Sequence, residues 1–173
     1  MALKQITSVG LRKEHYKADA LILYCVDHRG NEALDEFIRA KGFKYYDLIQ
    51  IPGGAKSLVV LSRDIIGRGS IWSYIVRLVG RKMILGWISM LIRLHHAERI
   101  ILTTHIDCGA FGGSSSFLIQ GMERRILEDW LVEAKNFLAK KLPGVAIEMY
   151  LVDHDGFQQV VDNSYDGCAC APH

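Results

Sequence analysis

Two short motifs hold the residues whose types and spacing could support metal chemistry. The first, CVDHR (residues 25–29), places a cysteine, an aspartate and an arginine at alternate positions just where an apolar run ends. The second, HIDCG (residues 105–109), contains an H-x-x-C pair that could close on one ion from a tight turn. Two thiolates and one imidazole suit zinc, and three protein ligands leave a tetrahedral position open, as in catalytic sites. We therefore predict a catalytic Zn²⁺ site formed by Cys25, His105 and Cys108.

Asp27 and Arg29 follow the predicted ligand Cys25 at alternate positions. Residues two apart in an extended chain point to the same side, so Asp27 could accept a hydrogen bond from water at the metal. Arg29 could grip that carboxylate bidentately and hold it ionised and turned away from the metal. Taken alone, such a cysteine is more often a core residue and such an ion pair a surface feature, and Asp107 is interpreted only as a turn-former. The combination with H-x-x-C favours the functional interpretation.

The composition is that of an ordinary globular protein. Among 173 residues, 21 are basic and 19 are acidic, so no charge excess demands nucleic acid or an anionic membrane as partner. The apolar stretch Met83–Ile92 is too short to span a membrane, and the N-terminus lacks the apolar core of a signal peptide, so we expect a cytoplasmic location. We expect one domain over residues 1–173, with an N-terminal arm at 1–17 and a flexible tail at 163–173.

The strand pattern places both motifs at one edge of a sheet. The first and third predicted strands are continuously apolar, which is typical of strands covered on both faces in a parallel sheet. Ligands bind at the carboxyl edge of such sheets, which is where both motifs would lie. The four segments predicted as strands are Asp19–Cys25, Lys44–Ile51, Arg99–His105 and Ala146–Asp153.

Helical patterns separate these strands. The alternation predicts an α/β fold, a parallel-core sheet flanked by helices with right-handed crossovers. The predicted helices run from an N-cap at Asn31 to Lys41 with Gly42 as the stop, over Trp72–Leu94, and from Leu118 to the Pro143-Gly144 pair.

The two motifs together, each at a strand end, resemble those of the β-class carbonic anhydrases. The segment AIEMYLVDHDGFQQVVD (residues 146–162) is also similar to the last core strand, turn and following segment of that family. The resemblance implies a β-carbonic anhydrase-like fold and a zinc enzyme that interconverts carbon dioxide and bicarbonate through a zinc-bound hydroxide. It implies a dimer as the basic unit, often assembled further. It makes the Cys, His and Cys of the motifs the zinc ligands, and Asp27 and Arg29 the catalytic dyad.

One segment departs from the family pattern. Where the family has Arg-Asn-Ala-Gly after its second strand, this chain has QIPGGAKS (residues 50–57), so an isoleucine and a proline stand in place of the arginine and asparagine. We expect the amides of Gly53 and Gly54 to face an anion, with Gly109 as a further substrate contact. Two alternatives stay open: hydrolysis of a related heterocumulene, carbon disulfide or carbonyl sulfide, and a non-catalytic zinc-stabilised binding module.

The long central helix predicts self-association. It carries more apolar surface than one sheet face is expected to cover, so we predict a homodimer or a higher homo-oligomer. The residues behind this prediction are Ile71, Trp72, Ile75, Ile84, Trp87, Ile88 and Leu91.

Two further features remain without a firm role. The C-terminal Cys168, Cys170 and His173 could form a second metal site or a redox pair, although terminal segments are commonly disordered. His28 lies between the members of the predicted dyad and is a candidate for proton transfer.

Overall fold

The computed structural model describes residues 15–59, 71–119 and 121–161. Most of the predicted N-terminal arm and the cysteine-rich tail, with Cys168, Cys170 and His173, lie outside the described residues. In the described part, one mixed sheet has the strand order β2-β1-β3-β4-β5. Its strands are β1 (Ala20–Tyr24), β2 (Tyr46–Gln50), β3 (Arg99–His105), β4 (Ala146–Asp153) and β5 (Gly156–Gln159).

The first four strands pair in parallel, and β5 runs antiparallel to β4. All four predicted strands are confirmed. The strand β5 was not predicted, because four residues after a tight turn are too few for an alternation signal.

Three α-helices within the described ranges cover both faces of the sheet. They are α1 (Asn31–Lys41), α2 (Ile71–His95) and α3 (Met122–Lys141). On one face, Leu21 and Leu23 of β1 belong to the hydrophobic cluster that includes residues of α2 and α3. On the other, Ile22 packs in a cluster with Phe37 of α1. The predicted α/β fold with a parallel core is thus confirmed, and no helix of the described residues is long and apolar enough to cross a membrane.

The start of α1 differs from the prediction. Its N-cap is Gly30, and Asn31 is the first helical residue. The side-chain amide of Asn31 contacts Nδ1 of His28 at 2.8 Å, so it does not cap the helix. The predicted stop is confirmed, because Gly42 is the left-handed C-cap with φ 69°.

The start of α3 also differs. The helix begins at Met122, after Gly121 with φ 81°, whereas Leu118 is 95% exposed and lies outside it. Leu118 continues the four-residue apolar spacing by coincidence, which extended the predicted helix too far. The helix α2 is continuous through Gly80 and Gly86, and Ile84 and Ile88 pack it against the core, which offsets the low helix propensity of glycine.

The parallel register brings the two motifs together. Leu23 of β1 pairs with Leu102 of β3, so the residues that follow each strand emerge side by side at the carboxyl edge. Cys25 immediately follows β1, and His105 is the last residue of β3.

Candidate metal centre

Cys25, His105 and Cys108 converge at the carboxyl edge of the sheet. Their ligand atoms all lie within 4.8 Å of one another, and the two Sγ atoms are 3.9 Å apart. Cys25 is 4% exposed and Cys108 is 1% exposed, so both thiols are removed from solvent. Among the described residues, these three form the group of cysteine, histidine and acidic side chains able to hold one ion. The structure therefore unites two motifs that are far apart in the sequence.

The imidazole of His105 is oriented as a metal ligand requires. Its Nδ1 lies 2.8 Å from the carbonyl oxygen of Ile106, a contact in which Nδ1–H donates. This tautomer leaves the Nε2 lone pair free, and Nε2 is buried without a hydrogen-bond partner in the described part of the chain. A buried nitrogen without a partner beside two thiols is costly unless a cation binds there, so the residues fit a metal such as zinc.

The two thiols interact strongly. A hydrogen bond from Cys108 lowers the pKa of the Cys25 thiol, and the Gly53 N–H also donates to Cys25 Sγ at 3.3 Å. The same contact with Cys25, together with burial, raises the pKa of Cys108. In the absence of metal the pair therefore retains a proton that a bound cation would displace.

Gly53 and Gly54 lie in the turn beside the candidate metal ligand Cys25, and their amides have other partners than the predicted anion. We expected their amides to face an anion, but Gly53 N–H donates to Cys25 Sγ and Gly54 N–H donates to the carbonyl oxygen of Ile51. Both glycines have positive φ, 78° and 53°. A Cβ on Gly54 would lie 2.5 Å from the carbonyl oxygen of Thr103, so this turn needs glycine to pack against β3.

We expect Gly54→Ala to destabilise the protein by more than about 2 kcal/mol, because backbone strain adds to the clash with Thr103. Denaturant unfolding measures this. Gly42→Ala is the matched control, since Gly42 also has positive φ but a Cβ there would meet nothing within 4 Å. Gly42→Ala should cost only the strain, about 1–2 kcal/mol. Equal losses in both variants would show that the close approach of Gly54 to β3 contributes nothing.

Asp27 and Arg29 form the expected ion pair. Arg29 Nε donates to both Asp27 carboxylate oxygens at 3.1 Å, and Nη2 donates to Oδ2 at 2.6 Å. The hydrogen bonds from Arg29 lower the pKa of Asp27 to about 2. Asp27 is therefore ionised at neutral pH and can only accept hydrogen bonds.

Asp107 and Glu123 make contacts at the site that the sequence pattern does not predict. Asp107 is the turn-former that was predicted, with φ 52°, and it also binds Arg29 through its carboxylate at 2.9 Å. Glu123, in the first turn of α3, accepts the N–H of Asp107 at 2.7 Å. An aspartate between two candidate ligands was visible in the sequence, but its partners lie 78 and 16 residues away and follow no local pattern.

A cleft of about 170 Å³ opens beside the dyad. Asp27, Arg29, His105 and Asp107 line it, and so does His154, to which the sequence pattern gave no role. His28 is exposed, and its proposed part in proton transfer stays a prediction. Gly109 begins the short 3-10 turn directly after Cys108, and its contact with substrate also stays a prediction.

Known proteins resemble this chain in structure, whereas no protein-family model and no curated protein sequence matches it. The β-carbonic anhydrase CafA of Aspergillus fumigatus is 13% identical with a TM-score of 0.50, over 84% of this chain and 76% of that one. A carbonic anhydrase from Streptococcus mutans is 17% identical, with a TM-score of 0.48 over 88% of both chains. At such identities the likeness concerns the fold alone, and the fold is that of the β-carbonic anhydrases.

Proposed function

We propose that this protein is a zinc-dependent carbonic anhydrase that reversibly hydrates carbon dioxide to bicarbonate. The observation that carries the proposal is the Cys25–His105–Cys108 group lying at the same sheet edge as an ionised Asp27 held by Arg29. A structural zinc site is usually closed by four protein ligands and needs no charged pair beside it. Three ligands next to a cleft instead suit a site that keeps one position open for chemistry.

The side chains of the centre have separate tasks in this proposal. The two Sγ atoms and Nε2 of His105 would hold zinc, which supplies a nucleophile by making a bound water more acidic. Asp27 accepts a hydrogen bond from the attacking oxygen and orients it. Arg29 donates to both Asp27 oxygens and would restrain the carboxylate, so that it does not bind zinc itself. The free, buried cysteines support a reducing compartment such as the cytoplasm.

A stopped-flow assay of carbon dioxide hydration on zinc-loaded protein tests the proposal. We expect hydration well above the uncatalysed rate and loss of activity when a chelator removes the metal. The metal-free protein, reloaded with zinc, serves as the control for damage during chelation. Zinc-loaded, folded protein without any hydration would contradict the proposal and favour the binding module.

The altered loop after β2 favours a second substrate class. Ile51 packs against the hydrophobic core cluster, so this position supplies no charged group where the family pattern has arginine. A less polar loop suits a heterocumulene that carries sulfur, such as carbonyl sulfide or carbon disulfide. Running these substrates beside carbon dioxide decides between the two, since the larger kcat/KM identifies the preferred substrate.

We also propose that the protein forms a homodimer or a larger homo-oligomer through α2. Ile84 and Ile88, which contributed to that prediction, face the core instead, whereas Ile75 and Trp87 are exposed. The structure reveals an exposed apolar stripe with three- and four-residue spacing, the pattern of helix–helix contacts. This stripe consists of Val76, Val79, Met83, Trp87, Met90 and Leu94.

We expect sedimentation at micromolar concentration to show a dimer or a larger species. The double variant Met83→Glu/Met90→Glu should shift it towards monomer, because it places two charges in the stripe. Val161→Glu is the control, since Val161 is also exposed but lies outside α2. A stable monomer for the unmodified chain would contradict the proposal.

A further inference from the structure

Arg29 is bound by more than its dyad partner. Its Nη1 donates to Oδ2 of Asp107 at 2.9 Å, and its Nη2 donates to the main-chain oxygen of Asp107 at 3.0 Å. With the contacts to Asp27, all three guanidinium nitrogens are engaged. Asp107 thus joins the loop after β1 to the loop after β3. These loops carry Cys25 and Cys108, and the third candidate metal ligand, His105, is the last residue of β3.

Asp107 is itself held in place by the start of α3. Glu123 accepts the N–H of Asp107 and the hydroxyl of Ser114, both at 2.7 Å, while Ser114 N–H donates to Oδ1 of Asp107 at 3.0 Å. The backbone at Gly113 lies close to the Asp107 carboxylate, since a Cβ on Gly113 would lie 3.2 Å from Oδ1 of Asp107. One carboxylate oxygen of Asp107 therefore binds its own loop, and the other binds Arg29.

An isolated pair of Asp27 and Arg29 would be a weak clamp. The side chain of Arg29 is 63% exposed, and exposed ion pairs are screened by solvent and pay the entropy of ordering two side chains. A second, independently anchored acceptor restricts the guanidinium to one orientation, because its planar fork can satisfy both carboxylates only in that orientation.

We propose that Asp107 and Glu123 are positioning residues that fix the guanidinium of Arg29 and, through it, the carboxylate of Asp27. Glu123 holds the backbone of residue 107, and Asp107 supplies the acceptors on the far side of Arg29. The contribution to turnover rests on the carbonic anhydrase activity proposed above. The restraint on Arg29 is a property of the protein itself and is measurable without that activity.

Asp107→Asn is the most informative variant, because it should remove one side-chain contact and keep the turn. Asparagine tolerates the left-handed backbone that Asp107 adopts, so the turn is preserved. Its side chain has one acceptor oxygen, whereas Asp107 uses one oxygen for Ser114 and the other for Arg29, so one of these contacts must be lost. Glu123→Gln is the second variant, because it weakens the same network without altering the loop. Glu133→Gln is the matched control, an exposed glutamate on the same helix.

NMR of the guanidinium groups in ¹⁵N-labelled, zinc-loaded protein measures directly how far the Arg29 side chain is restrained. The Arg29 signals are assigned by their absence in Arg29→Lys. We expect slow rotation about the Nε–Cζ bond, with resolved Nη signals, in the unmodified chain and in Glu133→Gln. Asp107→Asn should lose these resolved signals, and Glu123→Gln should broaden them. Freely rotating Arg29 in the unmodified chain, or unchanged signals in both network variants, would overturn the proposal.

Kinetics on the same samples connect the restraint to turnover. At equal zinc content we expect kcat to fall about 10–100-fold in Asp107→Asn, and less in Glu123→Gln, with little change in KM. A melting curve for each variant identifies any loss of folding. If Asp107→Asn does not fold, the comparison of Glu123→Gln with the unmodified chain tests the proposal. Absence of hydration in the unmodified chain overturns the proposed function, while the NMR result still decides the restraint. Mobile Arg29 signals with unchanged kcat would overturn the role in turnover.

Discussion

Cys108→Ser is expected to remove zinc from the protein and, with it, all hydration activity. The serine hydroxyl is about the size of the thiol but does not ionise near neutral pH, so only Cys25 and His105 remain as ligands. Losing a direct ligand should lower zinc affinity by more than the 10–100-fold typical of changes to the groups that surround a ligand. Metal analysis after dialysis measures this, with about one zinc per chain expected in the unmodified protein.

The tail cysteines provide the matched control for this substitution. Cys168→Ser and Cys170→Ser make the same chemical change at positions outside the described residues, and we expect both variants to keep zinc. Full zinc content in Cys108→Ser would place the metal elsewhere, with Cys168 and Cys170 as the first candidates. Loss of zinc in all three variants would indicate that Cys108 and the tail cysteines are all needed to bind zinc.

The fold could be predicted well from the sequence because its signals are local. The continuous apolar runs of β1 and β3 and the glycine that ends α1 each act within a few residues. The helix starts were less predictable, since Asn31 and Leu118 both fit the local patterns of a helix start. In the structure the N-caps are Gly30 and Gly121, and neither glycine marks a helix start as clearly as the patterns at Asn31 and Leu118 do.

The candidate site could be predicted only in part. Cys25, His105 and Cys108 were recognisable because their types are rare and both motifs end strands that a parallel sheet must bring together. The contact between Gly53 and Cys25 was not recognisable in the sequence, because it depends on how closely a turn approaches the end of β1. The restraint of Arg29 by residue 107 was equally hidden, since it depends on the relative position of two loops.

Arg29→Ala is expected to retain zinc and to lose most turnover. The hydrogen bonds of the Arg29 side chain go to Asp27 and Asp107 and not to the three candidate metal ligands, so metal binding should not require it. Without it, both oxygens of Asp27 lose their restraint, and the carboxylate becomes free to occupy the open position at the metal. Arg39→Ala is the control, since Arg39 is exposed on α1 and its side chain donates to the carbonyl oxygen of Asp35 within that helix. Added methylguanidine should restore part of the activity, because the place of Arg29 is open to solvent.

Arg29 could act by orienting the Asp27 carboxylate or by keeping it ionised, and the pH dependence of stability and activity distinguishes the two roles. Arg29 lowers the pKa of Asp27 to about 2, and without it the pKa should return towards about 3.9. The pair therefore stabilises the folded state above about pH 4, and this contribution is lost as the pH falls towards 2, so Arg29→Ala should unfold at a less acidic pH.

Between pH 6 and 9, Asp27 is ionised in the unmodified chain and in Arg29→Ala, so a higher pH cannot rescue the variant by deprotonating it. In the unmodified chain, activity should rise above neutrality, because two thiolates offset the charge of the metal and make a bound water less acidic than three imidazoles do. Stopped-flow rates at equal zinc content across this range test both expectations. A variant with full activity and an unchanged pH profile would mean that Arg29 is only a surface ion-pair partner of Asp27, and that the carboxylate needs no restraint to act.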